Sequence, residues 1–241
     1  MIDIILLIVI ALVTWCVAGE GPWGAAFSLI IVIFSGLLAM NFFEPLAAFL
    51  QANVAGSYEW QNRWDLIALL GLFAGSVFLL KEATVRILPV DIPVHPMAFD
   101  VGRWALGVAT GYVTMAFLLA ALHTAPLPRE FMGFAPERAN LLNIVAPDRQ
   151  WLGFTQYVSE RGFDGGVTSP TFDGAEFPRI PDKPETLQVW SSFPIRYAMR
   201  REQYASMGAA AAGAATSPGG GGGAAPPPTQ PRPGRGPSSA F

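Results

Sequence analysis

The chain holds two histidines and one cysteine, so its options for acid–base, metal and thiol chemistry are few. His95 stands between Val94 and Pro96, with Asp91 four residues earlier and Asp100 five later. One imidazole and two carboxylates at that spacing could hold a metal ion or relay a proton. With no second histidine nearby, a loop histidine without a metal or relay role is the favoured reading. His123 closes an apolar run and is expected at the membrane interface as a helix-end residue. Cys16 lies inside an apolar run, where a free thiol packs as a small hydrophobe. A lone cysteine excludes an intramolecular disulfide framework and a cysteine-based metal site. Intramembrane proteolysis calls for paired aspartates, a Ser–His pair or a metal motif at bilayer depth, and none is present. Gly219–Gly223 lacks the Lys-Ser/Thr ending of a phosphate loop. The chain is therefore expected to be no enzyme and to use no metal or cofactor.

The elements that must position any site are membrane helices. Apolar runs cover Ile4–Ala18, Ala25–Phe43, Leu66–Leu80 and Trp104–Leu122, and none contains Lys, Arg, Asp or Glu. A helix crosses the hydrocarbon core in about 20 residues. The second and fourth runs meet that length alone. The first and third recruit their flanks, over Met1–Ala18 and Asn62–Leu80, with local thinning or snorkelling. The expected fold class is an all-α membrane protein. Four transmembrane helices fill residues 1–123, an irregular polar segment with one or two short helices fills 124–207, and a disordered Ala/Gly/Pro-rich tail fills 208–241. Charged residues make up 14% of the chain, against roughly 25% in soluble domains. The net charge is −3 with no dense basic patch, so nucleic acid is not an expected partner.

The first run reads as a retained helix. A secretory leader opens on positive charge, and here only Asp3 precedes the apolar stretch. Loop cations give a near tie on orientation. Lys81, Arg86 and Arg103 flank the third connection, while Arg63, Arg129 and Arg138 lie on the opposite side. The slight lean places the first and third connections in the cytoplasm and both termini outside.

Two small-residue stripes suggest how the body packs. Gly71 and Gly75 sit four apart in the third helix, Gly107 and Gly111 in the fourth. Each is a GxxxG, which lets a second backbone approach closely. Mutual packing of the third and fourth helices is the first expectation, and self-association through the stripes is the second. Thr14, Ser28, Ser35, Asn41, Ser76, Thr110 and Thr114 are expected to hydrogen-bond between helices, with Glu44 and Asp65 at helix edges reaching water. Trp15, Trp23, Tyr58, Trp60, Trp64 and Trp104 mark the headgroup levels. The second connection, Leu46–Asn62, is expected to lie along the interface as a short helix. Pro89, Pro93 and Pro96 break any helix in the third.

Beyond His123, Pro147–Glu160 reads as an amphipathic helix with Trp151, Phe154 and Val158 on one face. A second run, Leu187–Met199, is interrupted by Pro194. These pieces are too few for an independent core. They are expected to dock on the membrane surface, on a partner or on the helical body. Residues 208–241 cannot bury enough apolar surface to offset chain entropy.

The order of these features resembles the colicin V production (CvpA) family of small bacterial inner-membrane proteins. The likeness rests on the opening Met1-Ile2-Asp3-Ile4-Ile5-Leu6-Leu7, with Asp3 as its acidic residue. Gly19 and Gly24 in the first turn, Ala39 and Pro45-Leu46-Ala47 closing the second helix, and Asp100, Arg103, Gly107 and Gly111 before and within the fourth complete it. The resemblance implies a multi-pass protein of the bacterial inner membrane, with its tail outside the cytoplasm. It implies a non-enzymatic role in toxin or protein export or envelope homeostasis, with the lipid bilayer, further copies of the chain and an envelope or export protein as partners. The alternative expectation is a subunit of a small oligomeric channel or transporter.

Overall fold

The structure, a computed structural model, describes residues 2–54, 58–87, 95–128, 130–136, 138–162, 172, 193–202 and 206, without the side chains of 58, 59, 61, 62 and 162. Chain contacts divide it into Met1–Ala205 and Ser206–Phe241. The expected disordered tail, most of 163–192 and the 88–94 connection lie outside the described residues.

Helix α1 spans Ile2–Ala18. Asp3 in its first turn faces the positive end of the helix dipole. A turn at Gly19 and Glu20 reverses the chain. Gly21 adopts φ +79°, a conformation glycine enters without a Cβ clash. Pro22 then opens α2, Gly21–Asn53, in the first turn, where its missing N–H costs nothing. Helix α3 spans Tyr58–Ile87, and Pro96 opens α4, Pro96–His123. Helix α5 spans Pro147–Gly162, and residues 193–202 are helical. Helices α2, α3 (from Arg63) and α4 are long and apolar enough to cross a membrane, and α1 is a shorter apolar helix. At 17 residues α1 stands at the lower limit for spanning.

The second helix corrects an expectation. It does not end at Pro45 but runs through it to Asn53. Proline removes one backbone N–H, so the Asn41 carbonyl four residues back has no helical donor. Apolar packing on both sides of the break, with Phe43 1% and Ala47 3% exposed, holds the helix together. The Leu46–Asn62 connection is therefore not a separate interfacial helix. Residues through Asn53 extend α2, and α3 begins at Tyr58.

Helix α4 packs between α1 and α2, and α3 covers the other side of α2. Two apolar clusters result. One joins Ile2, Leu6, Met115, Leu119 and Phe134. The other joins Phe43, Leu69, Phe73, Phe117, Trp151 and Phe193, with the Phe73 and Phe117 rings stacked at 4.1 Å. Outward residues such as Ile8, Leu12, Phe34 and Phe78 are more than half exposed. An exposed apolar belt on spanning helices is a bilayer-facing surface.

The small-residue stripes behave differently from one another. A Cβ on Gly111 would stand 2.8 Å from the Ile10 carbonyl oxygen, and one on Gly107 3.1 Å from that of Thr14. The α4 stripe is thus a seam with α1. Thr14 Oγ1 crosses it to donate to the Gly107 carbonyl at 3.3 Å. A Cβ on Gly71 or Gly75 would meet nothing within 4 Å. The expected mutual packing of α3 and α4 through these stripes is not found.

Candidate functional site

The segment after α4 folds back over one end of the bundle and brings polar groups from distant parts of the chain together. His123, the last residue of α4, and Asp148, in the first turn of α5, are both fully buried. His123 Nε2 lies 2.9 Å from Asp148 Oδ2. Asn140 Nδ2 donates to the same oxygen at 3.4 Å, while its Oδ1 accepts from the Ala135 N–H at 3.2 Å. Phe134 sits edge-on to the imidazole at 4.9 Å. Arg201, 4% exposed, holds its guanidinium 5.9 Å from the Phe134 ring. Two buried atoms of the pair, His123 Nδ1 and Asp148 Oδ1, have no hydrogen-bond partner among the described residues.

The helix at 193–202 extends this polar end. Phe193 is fully buried and meets Phe43 edge-on at 6.2 Å. Arg196 pairs with Glu44 of α2 at 3.2 Å. Arg200 pairs with Asp65 of α3 at 2.5 Å, and the Tyr197 hydroxyl donates to the same carboxylate at 3.4 Å. Burial, reinforced by the charges of Asp65 and Glu44, pushes the Tyr197 phenol well above its usual range, against the pull of Arg196 and Arg200. Pro194 lies within the helical residues 193–202, and the part of the expected run before it, 187–192, lies outside the described residues.

At the α1 terminus the Leu142 N–H donates to Asp3 Oδ1 at 2.6 Å, and the Ile2 N–H donates to the Met132 carbonyl at 3.1 Å. The start of α1 and the tail therefore share one end of the bundle. At the other end Lys81 pairs with Glu20, Trp15 approaches Trp104 at 6.2 Å, and Asp100 pairs with Arg103 at 2.8 Å.

The residues singled out in the sequence scatter across this framework. Asp3 anchors the tail. Gly19 lies in the α1–α2 turn, and Gly24 inside α2, where a Cβ would meet the Glu20 side chain at 2.6 Å. Pro45 is internal to α2, and Asp100 and Arg103 form a local pair at the start of α4. His95 is exposed and precedes α4, while Asp91 lies outside the described residues. Among the described residues no three His, Cys, Asp or Glu gather as metal ligands.

Several expectations are corrected here. His123 is the helix end expected, and it is buried against Asp148 rather than exposed. Asp65 does not reach water; it is 8% exposed and bonded to the 193–202 helix. Of the membrane-depth hydroxyl and amide groups, Thr14 links two helices, α1 to α4, among the described residues. Asn41, Thr110 and Thr114 donate to carbonyls four residues back, and Ser28 donates to Glu20. The buried face of α5 is Asp148, Trp151, Leu152, Thr155 and Ser159, with Phe154 40% exposed. Trp151 reaches into the bundle so closely that a Cβ on Gly36 would stand 2.4 Å from its ring. The missed signal was this uncharged stripe with one aspartate at its head, spaced 0, 3, 4, 7 and 11.

No family model matches the chain, and no solved structure does. It is 27% identical over 187 residues to the arsenical pump membrane protein of Escherichia coli, covering 64% of this chain and 40% of that protein. The chain thus spans about two fifths of the length of this curated relative. The apolar helices and this likeness together describe a multi-pass helical membrane protein.

Proposed function

We propose that the chain is a non-enzymatic membrane scaffold of the CvpA type, serving protein export or envelope homeostasis in a bacterial inner membrane. The observation that carries this reading is the tail bound across all four helices. Asp3 of α1, Glu44 of α2, Asp65 of α3 and His123 of α4 each hold a residue that lies beyond α4. Such a cap makes a fixed platform for a partner protein. Rigid packing of Phe73, Phe117 and Trp151 fills the centre of one copy, which suits a scaffold better than a single-copy conduit. The outward Gly71–Gly75 stripe is the surface through which copies or a partner helix associate.

Exchange of Gly71 and Gly75 for leucine tests the proposal in cells. Loss of crosslinked assemblies and an envelope defect at normal protein level support it. Unchanged assembly and phenotype overturn it. A phosphatase fusion after Met207 is expected to be active, because the proposed topology puts the tail outside the cytoplasm. The likeness to a pump membrane protein favours a second reading, a transporter subunit. Solute or ion flux in proteoliposomes of the purified chain separates it from the first.

A further inference from the structure

A crevice of about 210 Å³ opens between α2, α4 and α5, lined by Ile33, Tyr112, Val113, Ala116, Trp151 and Phe154 among others. Its lining is almost wholly apolar: the Tyr112 hydroxyl donates to Gln150 Oε1, and Trp151 Nε1 is buried with no hydrogen-bond partner among the described residues. Water needs two to four polar partners, and an apolar cavity of about 150 Å³ stays dry and takes hydrocarbon ligands. The crevice is continuous with the bilayer-facing surface. Ile30, one turn before Ile33, is 49% exposed, and Val108, one turn before Tyr112, is 51% exposed. Ile33 and Tyr112 lie well inside α2 and α4, away from either helix terminus. Helix α5 closes one end of the interhelical groove with Trp151 and leaves the rest uncovered.

We propose that this crevice binds a single acyl chain of a membrane phospholipid. A flexible hydrocarbon chain is the apolar ligand that a bilayer presents along such a groove, and it asks for no hydrogen bond from the lining. Bound there, it completes the packing between α2, α4 and α5.

The test uses the full chain in phosphatidylethanolamine–phosphatidylglycerol vesicles that contain a phospholipid with a diazirine in its acyl chain. After irradiation, adducts are mapped by mass spectrometry. Labelling of Val113, Ala116 and Phe154 is expected to exceed that of Phe78 and Leu79, which face outward on α3, several-fold. Val113→Phe, at a partly buried position, is expected to abolish the excess while leaving Phe78 and Leu79 unchanged. Ala116→Phe gives a second reading, and circular dichroism checks the fold of both. Equal labelling of crevice and α3 would mean annular contact only and overturns the proposal. So does labelling that survives both folded variants.

Discussion

The two glycine stripes have the same sequence form and opposite situations. On α4, Gly107 and Gly111 lie against the α1 backbone so closely that a methyl group finds no room at Gly111. On α3, Gly71 and Gly75 face open space. Lipid tails are as apolar as leucine, so a membrane helix gains little from hydrophobicity alone on meeting another helix. What separates the stripes is a partner of matching shape. The α1 surface supplies one through the bare carbonyl edge of Ile10 and Thr14, and nothing on α4 supplies one for α3. The motif marks the capacity for close approach, and the rest of the chain decides whether it is used.

The contrast extends to polar contacts. The end of the bundle joined to the tail is locked by side-chain bonds, and the Gly71–Gly75 stripe of α3 faces open space. Substitutions should follow that division. Asp148→Ala is expected to have the largest effect, near 3 kcal/mol, because it strands a buried imidazole and opens a void. Denaturant titration in micelles, followed by Trp fluorescence, measures it. A loss below 1 kcal/mol would mean the pair does not hold α5. Gly111→Leu comes next, at about 2 kcal/mol from overpacking against fixed backbone, and thermal melting by circular dichroism reports it.

Arg200→Ala, which removes the partly exposed partner of the buried Asp65 carboxylate and leaves it the Tyr197 hydroxyl, is expected to cost about 1 kcal/mol. The same contact predicts an alkaline response. The folded state raises the Tyr197 phenol above its ordinary value of 10.0. The fold therefore binds that proton more tightly than the unfolded chain does, and stability falls as pH rises past about 10. Tyr197→Phe should flatten that fall, which a pH series of melts would show. The smallest effect is expected for Gly71→Leu with Gly75→Leu, close to zero on the stability of one copy. A large loss there would mean that α3 is held by something other than α2 and would break the contrast.

The spans were legible because each is a charge-free run long enough to show. Their joints were not. Glu44, Asp65 and His123 stand where apolar runs end, and a polar residue at such an edge reads as an exit to water. Their partners Arg196, Arg200 and Asp148 lie 25 to 152 residues further on, beyond the reach of any local pattern. Pro45 misled for a related reason. Its local rule ends a helix, and packing around Phe43 and Ala47 overrides it. The α5 helix itself was visible, yet its buried face was not. Large aromatic residues drew the stripe toward Phe154, while the bundle accepted Asp148, Thr155 and Ser159 instead. The α4 glycines were found and their partner misassigned, since neighbours in sequence are the natural guess for neighbours in space.

The α1–α4 seam also bears on how the protein is made. Ile10 and Gly111 touch across about 100 residues of chain, and ribosomes add roughly 5–20 residues per second. A newly inserted α1 therefore waits on the order of 5–20 s before its true neighbour exists. During that wait a helix at the lower limit of spanning length must stay in the bilayer without its seam. A translation pause between α3 and α4 would lengthen this exposure, and the quality-control proteases of the membrane would see α1 first.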